Sequence, residues 1–500
     1  MREYRKICRN RKARIQQRLG RRQWCSQVKP MMSGGNIHYE MSGKAEAITC
    51  GGIGAFHHLV RRVGLMKEID RHLQLLKVHL PYHESDHVLN IAYNALVGGQ
   101  RLEDIELRRQ DATFLNALGA QRLPDPTTAG DFTRRFRPSD IETLMDCINR
   151  VRTRIWKKRA RSELKEALID IDGTLATTLG ERKQGMALSY NGIWGYHPLV
   201  VSLANTKEVL FLVNRPGNVP SHHGAVKWID RAIALVAPFA KCICLRGDTD
   251  FSLTRHFDRW SEKVDFVFGM DAYPGLVKIA KSLSQSDWEP FERQPKYQVK
   301  TSQRQKRENV KARIIRDRGF KNIRLASERV AEVSYRPARC KKTYRLVILE
   351  KNLSIERGEN ALFDDKRYFF YITTRKDLTA AEIVRLANGR CDQENVIEQL
   401  KNGVNAMRMP VDNLMSNWAY MVMTALAWNL KAWFALMIRK RERRNQLLRM
   451  EFRAFLQNLI WIPCQIVTRG RQIIYRVLGY NRWLTDFFSA WNRIRWLKPG

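Results

Sequence analysis

Paired cysteines are the first thing this sequence lacks. Nine cysteines are spread over 500 residues without one C-x-x-C pair, which predicts no structural zinc and points to a reducing compartment. No secretory signal is expected at the start, where the Arg-rich, acid-poor segment Met1 to Lys29 reads as a basic arm rather than a transit peptide. No apolar run is clean enough to cross a membrane. Trp418 to Ile438 has the length, but Asn429 and Lys431 interrupt it and a basic run, Arg439 to Arg444, follows it. A charge in mid-span is costly, so a buried core helix is expected there and no membrane partner. Internal repeats are absent. Acidic residues are scarce, 50 against 88 Lys and Arg, for a net charge of +38. An excess that recurs along the whole chain favours a polyanionic partner, nucleic acid above all. What is present in quantity is core-forming material, 44% hydrophobic and 10% aromatic, enough for roughly two to four folded domains.

Residues 1–45 read as a basic, flexible lead, and residues 46–160 as helical. Asp86 to Gly98 has helical apolar spacing and a Gly stop, and Pro126 to Phe136 opens as a short basic helix with Thr as its N-cap. This block is a candidate DNA-end reader of the helix-turn-helix type, with an ordinary helical subdomain as the alternative. Strand-like runs then appear at Ala167–Asp172, Tyr196–Ala204, Val209–Val213, Cys242–Leu245 and Phe266–Met270, with a helix-like stretch from Gly224 to Val236. That order predicts an α/β sheet covered by helices. Cys242 and Cys244 face the same way on their strand and are expected as core thiols. Residues 272–366 break the pattern. Gln294 to Arg324 is basic and polar, and Val330–Tyr335 and Tyr344–Glu350 are short strand candidates, so a β-rich insertion is expected. The α/β pattern, whose first part spans 165–271, resumes over 367–404 with a strand at Tyr368–Thr374 and one helix from Thr379 to Lys401. Residues 405–500 read as a helical tail.

Three acids occupy positions that carry chemistry. Asp172 ends an apolar run and precedes Gly173, and Asp248 follows Gly247 at the end of a second run. Strand ends are where α/β sheets place ligands. Glu394 lies on the predicted helix, where Arg390, Glu394, Glu398 and Lys401 recur at steps of four, four and three and so share one face. Converging carboxylates bind divalent metal, and in so basic a chain the substrate of such a site is nucleic acid. Asp170 points the same way as Asp172 along the strand and is expected to support the site rather than to hold metal. His197, His222, His223, His256 and Trp288 are expected in structural roles.

These residues resemble a known family. Asp-Ile-Asp-Gly-Thr (170–174), Gly-Tyr-His-Pro-Leu (195–199), Asn-Arg-Pro-Gly-Asn (214–218), Leu-Arg-Gly-Asp-x-x-Phe (245–251) and the spacing of Arg390, Glu394 and Lys401 are similar to DDE transposases of bacterial insertion sequences, most of all the insertion-sequence 1380 group. The resemblance covers roughly residues 50–440. It implies an α/β, RNase H-like catalytic core interrupted by a β-rich insertion between Asp248 and Glu394, with a helical N-terminal DNA-binding region and a helical C-terminal tail. It implies Asp172, Asp248 and Glu394 as catalytic, metal-binding residues, and Arg390 and Lys401 as DNA contacts. The implied cofactor is two Mg²⁺ ions per site, with Mn²⁺ as a substitute. On that resemblance Asp172 is expected to hold both ions, with Asp248 and Glu394 expected to hold one each. The implied partners are double-stranded terminal inverted repeats, target DNA and a second copy of the chain in a synaptic complex, in the bacterial cytoplasm at the nucleoid. Two positions depart from the pattern. Ala387 stands where a Tyr commonly precedes the Arg, and Asp250 stands where a small residue is common. Two other functions fit the composition: a DNA-specific nuclease without strand transfer, and an inactive DNA-binding repressor derived from a transposase.

Overall fold

The computed structural model describes residues 2–20, 37–39, 43, 46–160, 163–178, 180, 182–293, 310–319, 321–357, 360–470 and 472–498. The chain divides into two compact units. One contains Met1–Leu164, Thr174–Val219 and Asn395–Gly500, and the other Lys165–Gly173 and Pro220–Glu394.

The second unit is built on a mixed sheet. Its parallel part is β1 (Glu166–Gly173), β2 (Cys242–Gly247) and β3 (Asp265–Met270). Asp170 lies opposite Arg246 in the β1–β2 pair, and Gly247 opposite Phe268 in the β2–β3 pair. The antiparallel part is β4 (Glu289–Pro290), β5 (Lys321–Tyr335), β6 (Tyr344–Arg357) and β7 (Asn360–Thr373). The strand order in this unit is β4-β5-β6-β7-β3-β2-β1. Alternation explains the two faces of β3. Val267 joins Cys244, Val347, Leu349, Ile383 and Val384 in one buried cluster under the Ala380–Asn388 helix. Phe266 and Phe268 point the other way, onto Phe257 at centroid distances of 4.6 and 5.6 Å. Burial of Ile383 and Val384 contributes about 1.5–3 kcal/mol each. Thr379 and Glu382 form a capping box that starts the helix over this cluster. Cys244 is buried as expected, but Cys242, at the strand start, is exposed.

The short strands expected near 330 and 344 are in fact long, and they continue the same sheet. Charged residues disguised their length. Arg329 faces Glu350 across the β5–β6 pair and Glu328 faces Lys351. Glu328 is buried and accepts from Arg293 at 2.6 and 2.8 Å, while Glu350, also buried, accepts from Arg329 at 2.6 and 3.0 Å. Opposite-charge pairs facing each other stabilise such a ribbon. Trp288 is buried, with Arg329 over its ring at 5.2 Å. Of the polar segment Gln294 to Arg324, residues 294–309 and 320 lie outside the described residues, and Val310–Asp317 is helical.

The first unit is mainly helical. Helix Leu414–Leu436 is buried along nearly its whole length, and polar partners explain the residues that interrupt its apolar run. Asn429 accepts from the Val209 amide at 2.9 Å and donates to the Val209 carbonyl at 3.1 Å. The Lys431 ammonium donates to the carbonyls of Leu448 and Met450 and sits 3.8 Å from the Trp428 ring centre. Among the described residues no helix is long and apolar enough to cross a membrane. The antiparallel hairpin Leu199–Leu203 and Glu208–Val213 is fully buried. Glu208, without access to solvent, accepts from Arg152 at 2.9 Å, Trp156 at 2.8 Å, Trp433 at 2.8 Å and Thr206 at 2.5 Å.

Several local expectations are corrected. The basic lead contains a helix, Arg2–Gly20, while residues 21–29 lie outside the described residues. The N-cap of Pro126–Thr133 is Asp125, which accepts from the Thr128 amide at 2.9 Å. The strand expected over Tyr196–Ala204 splits at His197-Pro198 into Trp194–Tyr196 and Leu199–Leu203. The tail also contains an antiparallel pair, Cys464–Arg469 and Gln472–Val477, joined by Glu46–Ile48.

Candidate active site

The site grows out of the ends of β1 and β2. Asp170 and Asp172 are two residues apart on β1, yet their surroundings separate their roles. The fully buried Asp170 carboxylate is gripped by Arg246 on β2, with Nε donating to Oδ1 at 2.6 Å and Nη2 to Oδ2 at 2.8 Å. Such a fork of charge-assisted hydrogen bonds neutralises the acid. Arg246 Nη1 also donates to the Leu386 carbonyl at 2.9 Å, near the C-terminus of the Ala380–Asn388 helix, where a cation is favoured by the orphan carbonyls and the helix dipole. One arginine thereby fixes β1, β2 and this helix together. Gly389 leaves the guanidinium its room, since a Cβ there would lie 2.8 Å from Arg246 Nη1.

The single helix expected from Thr379 to Lys401 is broken at this place. Gly389 and Arg390 form a turn between Ala380–Asn388 and Cys391–Glu398, and the Arg390 amide donates to the Ala387 carbonyl at 3.1 Å. The turn delivers Arg390 to the carboxylates. Its Nη1 donates to Asp172 Oδ2 at 2.9 Å and lies 3.8 Å from Asp248 Oδ2. Asp248 caps the short turn Thr249–Phe251, its Oδ1 accepting from the Asp250 amide at 3.1 Å. A Cβ at Gly247 would meet the Cβ of Phe251 at 2.8 Å, so the close return of this turn requires glycine.

The electrostatics favour binding a cation. Burial pushes the Asp172 carboxyl up to about 6, with Arg390 opposing and Asp248 adding to the rise. Burial raises Asp248 as well; Arg390 opposes, while Asp250 and Asp271 add negative potential. Two partly desolvated carboxylates sharing one guanidinium are an incompletely neutralised anionic pair. A cavity of about 430 Å³ opens beside them, lined by Asp248, Asp271, Tyr368, Tyr371, Ala387 and Arg390, among others.

The other expected residues are placed differently. Glu394 is exposed on Cys391–Glu398. Asp172, Asp248 and Glu394 do not close to within 4.8 Å of one another; among the described residues the group of three that does is His79, His83 and Glu84. Lys401 lies on a π-helical turn, Gln399–Gly403, so regular helical steps from Arg390 do not reach it. His197 is buried, its Nδ1 2.8 Å from the Val219 carbonyl oxygen, and His256 packs against Trp260 at 5.4 Å. Arg246 and Asp271 were missed. Both had a signal: a lone Arg inside an apolar strand, and an acid directly after a third strand.

A family model for the transposase DDE domain, group 1, matches residues 29–499. No curated protein matches the chain. Among solved structures, the piggyBac transposase synaptic complex with hairpin DNA is similar at 11% identity and a TM-score of 0.34, over 82% of this chain and 81% of that one. With a match over nearly its whole length and aspartates at the ends of two neighbouring parallel strands, the chain belongs to the DDE transposase family, enzymes of DNA transposition and recombination.

Proposed function

We propose that this chain is the transposase of an insertion sequence of the 1380 group. It binds the terminal inverted repeats, cleaves DNA there and transfers the freed 3′-OH to target DNA, on an RNase H-like core. The observation that carries this reading is the pair Asp172 and Asp248 at adjacent strand ends, bridged by Arg390. Their donor set fits Mg²⁺. It is made of carboxylate oxygens, and burial disfavours the charged pair until a cation arrives. Asp172 and Asp248 would hold the ions, with Glu394 as the third carboxylate. Bound divalent ions would supply an activated attacking oxygen and stabilise the leaving one.

The chain's own residues do the rest. Arg246 and Asp170 hold the strand ends and the helix end rigid, which positions the two aspartates. Once the carboxylates hold cations, Arg390 would be released to meet a phosphate oxygen with its planar donors. In the first step water attacks phosphorus and the P–O3′ bond breaks, leaving a 3′-OH. In the second that 3′ oxygen attacks a target phosphorus and displaces a 3′ oxygen of the target strand. Helix Arg2–Gly20, the helical block and Lys401 supply phosphate contacts, and the net charge makes binding salt-sensitive. Two ends must be cut together, so a second copy of the chain joins the complex.

The test is a supercoiled plasmid carrying the element ends, incubated with Mg²⁺ and wild-type or Asp248→Ala protein. End cleavage and joined product from wild type alone support the reading. Cutting without joined product indicates a nuclease, and end binding without cutting indicates a repressor.

A further inference from the structure

A second constellation lies in the first unit, in residues 73–83 between helices Leu65–His72 and Glu84–Leu96. Glu84 is 1% exposed although it opens a helix. Its two carboxylate oxygens do different things. Oε1 accepts from the backbone amides of Leu75 and Leu76, both at 2.9 Å. Oε2 faces His79 Nε2 at 3.0 Å. The His79 ring stacks on His83 with centroids 4.5 Å apart and planes 11° apart. Ligand atoms of His79, His83 and Glu84 all lie within 4.8 Å of one another. Burial works against the Glu84 charge, but the amides of Leu76 and Leu75 hold its carboxyl below the ordinary value.

We propose that His79, His83 and Glu84 bind a divalent cation of the Zn²⁺ class. The donors decide the class. Two imidazoles and one carboxylate suit Zn²⁺, Co²⁺ or Ni²⁺, whereas Mg²⁺ prefers an all-oxygen shell. The geometry is close to what binding needs. Bonds of about 2.0–2.2 Å in a tetrahedral site put neighbouring ligand atoms roughly 3.3–3.5 Å apart. The His79–Glu84 pair is already near that spacing, and rotation of the two exposed rings supplies the rest. Three protein ligands leave an outward position for water. The ion would tie the loop to the start of Glu84–Leu96 through His79 and His83, adding to the anchor Glu84 already makes to Leu75 and Leu76. The expectation of no structural zinc rested on cysteine spacing, and this site uses no cysteine.

The test uses the full chain, stripped with EDTA and titrated with Co²⁺ in excess Mg²⁺, so that oxygen-only sites are filled. Bound metal is read by visible absorption and by elemental analysis after desalting. One equivalent is expected to bind wild type and Asp248→Ala alike, and to be lost in His79→Ala/His83→Ala. Thermal melting checks that the double variant folds. The single variant His83→Asn is expected to weaken binding by about tenfold or more. No saturable binding to wild type would overturn the proposal, and so would an equivalent that survives in the folded double variant.

Discussion

Two carboxylates, the fully buried Glu208 of one unit and the half-buried Asp172 of the other, show how differently the same group can be used. Glu208 receives four donors and has no access to solvent. Among the described residues Asp172 has one cationic partner, which is also within reach of Asp248, and its carboxyl is pushed up to about 6. A buried charge whose lone pairs are filled holds its surroundings in place, because removing any partner leaves an uncompensated group. A half-buried charge with a single, shared cationic partner stores the means to bind something else. Asp170 repeats the lesson within one strand. Two residues from Asp172, it is saturated by Arg246 and becomes part of the frame.

This contrast is sharpest where the two acids are removed. Asp248→Ala is expected to lower strand cleavage by roughly 10³-fold or more while leaving melting near wild type, measured by plasmid cleavage and thermal denaturation side by side. Glu208→Gln should do the reverse, costing about 3–5 kcal/mol of stability because Arg152 stays buried with its charge uncompensated. Denaturant melts read this, and a Glu208 variant with wild-type stability would break the comparison. The third effect is a pH dependence in metal-free protein. The folded state holds the Asp172 proton more tightly than the unfolded chain, 6 against 3.8. Its stabilising contribution is therefore full below about pH 4 and lost as pH rises through 6. Relative to Asp172→Asn, wild type should lose about 2–3 kcal/mol between pH 4 and pH 7, and parallel stability curves for the two proteins would contradict this. Arg246→Met is expected to reduce cleavage about 10–100-fold by loosening the strand ends, with Asp248→Ala showing no further loss of stability in combination. The smallest effect is Thr379→Ala, about 1 kcal/mol from the lost helix cap.

Much of the site's framework was legible in the sequence for a physical reason. Apolar runs of strand length ending in Asp or Gly-Asp mark buried parallel strands with acids at their ends, and Glu166–Gly173 and Cys242–Gly247 follow that rule. The break at Gly389-Arg390 was hidden because helical spacing runs straight through it. The turn is set by Arg246, which is far away in sequence. The lengths of β5, β6 and β7 were hidden because charged residues there look like loop residues until their cross-strand partners are known. The donors to Glu208 come from positions 152, 156, 206 and 433, and no local pattern connects them.

The length of the β5–β7 ribbon has a consequence for reach. Strand β7 pairs with β3 only from Phe370 to Thr373, and Tyr368 to Tyr371 line the cavity beside Asp248. Residues 360–369 continue past that last pair as paired strand. At about 3.3 Å per residue they extend roughly 33 Å, which is about one full turn of B-form duplex. The ribbon therefore runs on from the strand pair that borders the carboxylates by about that length. Shortening β6 and β7 by matched pairs of residues would shorten the ribbon one rung at a time and leave Asp172, Asp248 and their Arg390 partner in place.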